Sequence, residues 1–253
     1  MALSDNLLNY WTMDESGSVS RANSVGAGTS LSVTGTITSA AGIVGAASAS
    51  FPGTNSNILS MSDEASISAG ATDFFLNCWL YPADVATLQI VYQKGEGGNF
   101  EYGLTLRSDA TLRFSVFDSS LNETVATSTA TLTANTWAMV TCYHLNGSKI
   151  GVAVNAGTPV EQSFVAGVND STADFRVGNR QSNDFPYNGR LDELGFWRRA
   201  WTASDSTLLY NGGAGLAYPF TPAPEIAMPV DMAFGLPPVK LAAGFPVKIA
   251  RVR

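Results

Sequence analysis

Residues 175–215 read FRVGNRQSNDFPYNGRLDELGFWRRAWTASDSTLLYNGGAG. Phe175–Gly178 is a short run rich in strand-forming residues, and a polar loop, Asn179–Tyr187, follows it. A second run opens at Gly189-Arg190-Leu191-Asp192-Glu193-Leu194, so two strands are predicted around the loop. After the aromatic-basic stretch Phe196-Trp197-Arg198-Arg199, Thr202–Tyr210 reads as a short helix. It stops at Asn211-Gly212-Gly213, residue types that tolerate the left-handed backbone of a helix end.

Outward from this stretch, helical periodicity is almost absent. Alternating runs recur at Leu31–Ile37, Asn57–Met61, Phe74–Tyr81, Gln89–Lys94, Tyr102–Leu106, Thr111–Phe117, Trp137–Leu145, Lys149–Asn155 and Arg190–Phe196. Turn signals such as Gly95-Glu96-Gly97-Gly98, Asn146-Gly147 and Asn155-Ala156-Gly157 separate them. Short strands so punctuated predict an all-β fold, a two-sheet antiparallel jelly-roll sandwich. With 45% hydrophobic residues in 253 the chain can bury a core, and 14% charged residues leave little material for solvated helices.

The net charge is −7, and an acidic surface repels phosphate backbones, so nucleic acid is excluded as a partner of the body. No run approaches the 18 or so apolar residues of a membrane span, and no membrane partner is expected. Met1-Ala2-Leu3-Ser4-Asp5 lacks the basic and apolar parts of an export signal, which predicts synthesis in a cytoplasm. Cys78 and Cys142 both lie in apolar strand-like runs. That context favours buried thiols, with one disulfide open as the alternative because the two strands can be neighbours.

Five ordered segments resemble the LamG-like jelly-roll (concanavalin A-like) family. They are Tyr10-Trp11-Thr12-Met13-Asp14-Glu15-Ser16-Gly17, then GIVGAASASF at 42–51, then FFLNCWLYP at 74–82. Trp137–Asn155 and the 175–215 stretch complete the set. The resemblance implies a binding fold for residues 1–218. It also makes calcium a candidate ligand at Asp14 and Asp192, although Ala22-Asn23-Ser24-Val25-Gly26 lacks an aspartate that family members carry there. A satisfied polar cluster is the alternative, and no cofactor is required. The family's Asp-Glu pair is mainly structural; here Asp192 and Glu193 are expected to bond backbone N–H groups of the opening segment and to pair with Arg198 or Arg199.

Residues 219–253 fall outside the resemblance and form an extended arm with seven prolines. Three imperfect units start at Pro229, Pro238 and Pro246, each opening Pro-Val-[Asp/Lys]-[Met/Leu/Ile]-Ala. Val230, Met232, Phe234, Val239, Leu241, Phe245, Val247 and Ile249 are the predicted docking residues, because so apolar an arm needs a surface to cover it. The arm carries a net +2, leaving −9 on the body.

Catalytic chemistry has little to work with. His144 is the single histidine, which rules out sites built on several His ligands and leaves a half-buried strand residue as the natural reading. Asp192 and Glu193 are adjacent, so on a regular strand they point to opposite faces and cannot act as a glycosidase pair. Sugar contact is a separate idea. Aromatic faces stack on pyranose rings, and Trp79, Tyr81, Asn183, Asp184 and Tyr187 are the candidates. The leading expectation is a non-enzymatic phage virion protein (head decoration, fibre or tail-attached), localised to the virion and anchored to other virion proteins or to itself by the arm. A carbohydrate-binding adhesin is the alternative, and the two are compatible.

Overall fold

The structure, a computed structural model, describes residues 1–26 and 28–220. The chain divides into two units, Met1–Thr221 and Pro222–Arg253, and the predicted docking residues Val230 to Ile249 lie outside the described residues. In chain order the strands are β1 (Leu7–Trp11), β2 (Ser32–Thr34), β3 (Thr38–Ala40), β4 (Ser48–Pro52) and β5 (Ile58–Met61). Then come β6 (Phe74–Pro82), β7 (Gln89–Lys94), β8 (Tyr102–Leu106), β9 (Thr111–Phe117) and β10 (Glu123–Thr131). The last five are β11 (Ala138–Leu145), β12 (Ser148–Val154), β13 (Val160–Phe164), β14 (Phe175–Val177) and β15 (Asn188–Trp197), followed by helix α1 (Ala203–Tyr210).

Two antiparallel sheets form the sandwich. One runs β13-β12-β11-β6-β15-β4-β3 with β1 added beside β15; the other runs β10-β9-β8-β7-β14-β5-β2. Leu76, Cys78 and Leu80 of β6, Val140 and Cys142 of β11, and Leu104, Phe114 and Val116 of the facing sheet interdigitate between them. Cys78 lies opposite Val140 and Cys142 opposite Leu76, and both thiols are free and buried.

Alternation also fills the outer face of the first sheet. Phe75 and Trp79 of β6, Met139 and Tyr143 of β11, and Trp197 of β15 form a second core under Leu3, Leu7, Leu209 and Phe220. Phe75 stacks on Trp197 at 4.5 Å, Tyr143 on Trp201 at 4.3 Å, and Phe220 meets Tyr10 edge-on at 5.2 Å. Tyr218 and Phe220 therefore pack with the body, just past residue 218. Helix α1 begins at Ala203, one residue inside the predicted span, with Thr202 as its N-cap in a capping box with Asp205. Arg199 donates to both Asp205 oxygens, at 2.9 and 2.8 Å. Burial pushes the Asp205 carboxyl up, but Arg199 and Thr202 outweigh it and hold it below the ordinary range. Trp201, Ser206, Thr141 and Asn77 link the helix to the sheet in one hydrogen-bonded chain.

Five strands were not anticipated as strands: β1, β3, β4, β10 and β13. In β10, ETVATSTAT, only the small Ala126 and Ser128 are buried, so it carries no large apolar side chain to betray its alternation.

Candidate functional site

On the outer face of the second sheet the same alternation leaves a groove. Leu104 of β8 and Leu112, Phe114 and Val116 of β9 point inward, so Gly103, Thr105, Arg113, Ser115 and Phe117 point out. In β7 the register shifts between Ile90 and Tyr92, which sends Val91 and Tyr92 into the core and leaves Ile90 and Gln93 outside. Gln93, Gly103 and Ser115 thus lie in one cross-strand row, and Ile90, Thr105 and Arg113 in the next. A Cβ at Gly103 would sit 3.3 Å from Gln93 Cγ, so glycine there keeps the floor open.

Aromatic side chains wall the groove. Phe100 stacks on Phe117 with ring centroids 4.5 Å apart. On the other side Phe185 lies beneath the Arg180 guanidinium, 4.5 Å from its carbon. Fully buried Asn179 fixes that loop: its Oδ1 accepts from Arg180 N at 2.9 Å and Phe185 N at 3.1 Å. Arg180 also donates to Asp184, at 2.6 and 2.5 Å, and that bond holds the Asp184 carboxyl below its ordinary range. Glu96 ties the loop to the β7–β8 turn by accepting from Ser182 N at 2.6 Å. Arg113 pairs with Glu123 at 2.6 Å, while its buried Nε has no partner. The cavity holds about 200 Å³.

The predicted sugar contacts are placed unevenly. Asn183 and Asp184 lie on the loop that borders the groove. Trp79 is buried and stacked on Tyr210 at 5.7 Å, and Tyr187 is buried against Phe51 with its hydroxyl donating to Arg190 O, so neither ring face is free. Tyr81 is on the other sheet, half-buried between Trp137 and Arg190. Trp79 and Tyr81 do face away from the inter-sheet core, but the helix and the C-terminal segment cover the Trp79 side. Sequence reading missed Gln93, Phe100, Arg113, Phe117 and Glu123. The outward positions of Thr111–Phe117 carried a signal, since Arg113, Ser115 and Phe117 alternate with the apolar residues.

Asp14 and Asp192 do converge, on loop 42–47. Asp14 Oδ1 accepts from Ala46 N and Ala47 N at 2.7 and 2.9 Å; Asp192 Oδ2 accepts from Ile43 N and Val44 N at 2.9 and 3.2 Å. This donor set does not suit calcium, which wants oxygens around it where these carboxylates face N–H groups. Among the described residues no three His, Cys, Asp or Glu side chains are grouped to hold a metal. The expected partners also change: Asp192 bonds loop 43–44 rather than the opening segment. Arg199 pairs with Asp205, and Arg198 donates to Ala65 O and Ser68 O.

Asp192 and Glu193 sit in a bulge where β15 exchanges β4 for β1 as its neighbour, and Glu193 has φ 51°. Burial pushes Asp192 up to about 7, against the two loop N–H groups and with help from Asp14. Burial likewise pushes Glu193 up to about 8, against the Tyr10 hydroxyl and with help from Asp192 and Asp14. His144 is fully buried where a half-buried place was expected. Its Nδ1 lies 2.9 Å from Thr72 O, Nε2 has no partner, and burial pushes its pKa down. Burial raises the Cys142 thiol to about 12, which removes it as a nucleophile at neutral pH.

Residues 52–205 match the model of the concanavalin A-like lectin/glucanases superfamily. The chain belongs to that superfamily. Among solved structures, this concanavalin A-like chain is similar to the binding domain of Paraclostridial Mosquitocidal Protein 1. The TM-score is 0.69 at 18% identity, covering 84% of this chain and 53% of that one. It is also similar to domain 4 of AbnA, a GH43 extracellular arabinanase from Geobacillus stearothermophilus, solved in complex with arabinotriose. Here the TM-score is 0.64 at 18% identity, covering 80% and 97%. The botulinum neurotoxin serotype G binding domain follows with a TM-score of 0.66 at 10% identity, covering 82% and 51%. These are likenesses of fold, and the chain spans about half the length of the two toxin domains. No curated protein sequence matches it.

Proposed function

We propose that the concanavalin A-like body is a non-catalytic glycan-binding module whose site is the groove over β7, β8 and β9. One observation carries this reading: the Phe100–Phe117 stack and Phe185 flank a polar floor of Gln93, Thr105 and Ser115. Apolar ring faces with a few convergent polar groups suit a sugar, whose CH faces stack while its hydroxyls bond. Glycoside hydrolysis needs two carboxylates flanking the bond; among the described residues Glu123 alone lines the groove, and Arg113 holds it. Calorimetric titration with neutral oligosaccharides, arabinotriose first, tests the reading. Binding that Phe117→Ala weakens supports it, and binding unaffected by Phe117→Ala and Phe185→Ala moves the site elsewhere.

A compatible second reading rests on the arm. We propose that residues 222–253 anchor the body to a phage virion, on the strength of their three Pro-Val units and a net +2 against a body of −9. Light scattering and particle attachment of the full chain, compared with a chain ending at Thr221, test it. Attachment by both forms rejects the anchor.

A further inference from the structure

Lys94, at the end of β7, and Glu101, just before β8, are fully buried side by side. Lys94 Nζ lies 2.8 Å from Glu101 Oε1 and 2.6 Å from Asp63 Oδ1. Its remaining neighbours are Ala173 O at 2.9 Å and Ser171 O at 3.3 Å. Glu101 Oε1 also accepts from Ser171 N and Oγ, and Oε2 from Ala69 N. Burial pushes the Glu101 carboxyl up, outweighing Lys94 and these N–H groups. Asp63 differs from both. Its side chain is 32% exposed and lines a cleft of about 340 Å³ beside Ser68, Thr72, Asp170 and Arg198. Its Oδ1 also accepts from Ser68 Oγ at 3.0 Å.

An amine, a buried carboxyl able to carry protons, and a second carboxyl polarised by a hydroxyl are the parts of an amide condensation. We propose that Lys94 and Asp63 join in an intramolecular amide bond, with Glu101 moving the protons. The ammonium passes one proton to Glu101, because a neutral amine–acid pair needs less solvation than two buried charges. The free amine attacks Asp63 Cγ and forms the N–C bond, while Glu101 protonates an Asp63 oxygen. The nitrogen then yields a second proton through Glu101, and that oxygen leaves as water into the cleft. Two charges disappear, one water is released, and nothing is oxidised or reduced. Condensation is unfavourable between free molecules in water; here the fold holds the amine against the carboxyl, and that proximity replaces a high concentration. The bond ties positions 31 residues apart, linking the segment just after β5 to the end of β7.

Mass spectrometry of the denatured full-length chain decides the matter. A mass about 18 Da below that of the sequence, the loss of one water, is expected. Trypsin then spares the acylated Lys94, so 22–107 emerges as one peptide that carries the loss. A full sequence mass overturns the proposal, leaving Lys94 an ion-paired side chain. A loss of that size with cleavage retained at Lys94 also overturns it, since an aspartate would have dehydrated elsewhere. Glu101→Gln is expected to restore both the full mass and the cleavage, and a bond that persists in that variant overturns the role of Glu101. The wild-type measurement stands by itself if the variant does not fold.

Discussion

Glu193 makes stability depend on pH in an unusual direction for a carboxylate. Its pKa rises from an ordinary 4.5 to about 8 in the folded protein, chiefly through burial beside Asp192. The folded state thus holds a proton that the unfolded state releases above about pH 4.5, so stability falls as pH rises through that window. The contribution is complete below pH 4.5 and lost by about pH 8, and at about 1.36 kcal/mol per pH unit the loss is roughly 5 kcal/mol. Glu193→Gln keeps the shape of the protonated side chain and an oxygen for the Tyr10 hydroxyl, and it has no proton to lose. Urea unfolding of both proteins between pH 4 and 9 measures the difference. At pH 5 the two are expected to be similarly stable, and at pH 8 the variant is the more stable by a few kcal/mol. A residual slope remains in the variant because Asp192, pushed up to about 7, still titrates. Wild-type stability that is flat or rising from pH 5 to 8 would falsify the reasoning, as would a variant weaker than wild type at pH 8.

Other outcomes follow from the same geometry. Phe117→Ala and Phe185→Ala are each expected to weaken glycan binding by about 5- to 30-fold, the equivalent of ~1–2 kcal/mol of lost ring contact, with melting temperatures nearly unchanged. Trp79→Ala should do the reverse, costing about 3–5 kcal/mol in chemical unfolding by hollowing the second core while a folded fraction still binds the same ligand. Asp205→Ala leaves Arg199 buried without its carboxylate and removes the capping partner of Thr202. A loss of about 3–5 kcal/mol is expected, and one below about 1 kcal/mol would show that the pair is solvated. Removing 222–253 should leave the melting temperature of the body within a few degrees, because Phe220 keeps its place against Tyr10; ending the chain at 217 should lower it, because Tyr218 and Phe220 go.

Much of the architecture could be read from residue order. Alternation in Phe74–Pro82 and Thr111–Phe117 requires strands, and Thr202 with Asp205 and Asn211 marks both ends of the helix, because these signals are local. Strand β10 escaped because its side chains are small or polar, and β13 because the exposed Glu161, Gln162 and Ser163 break any alternation between Val160 and Phe164; pairing partners define both. The site was harder still. Trp79 reads as an exposed ring from its strand parity, yet parity says only which face it takes; Tyr210, far along the chain, covers that face. Asp192 and Glu193 alternate on paper, but a bulge created by the change of neighbour from β4 to β1 buries both and raises both pKa values. Phe100, Phe117 and Phe185 come from three separate segments, and Lys94, Glu101 and Asp63 from three more. The sequence by itself determined most of the strands, the two-sheet class and the apolar side of those strands, because these follow from period and composition. Which outward face stays open, and which charges meet inside, depended on contacts between distant segments, and the tertiary structure alone decided them.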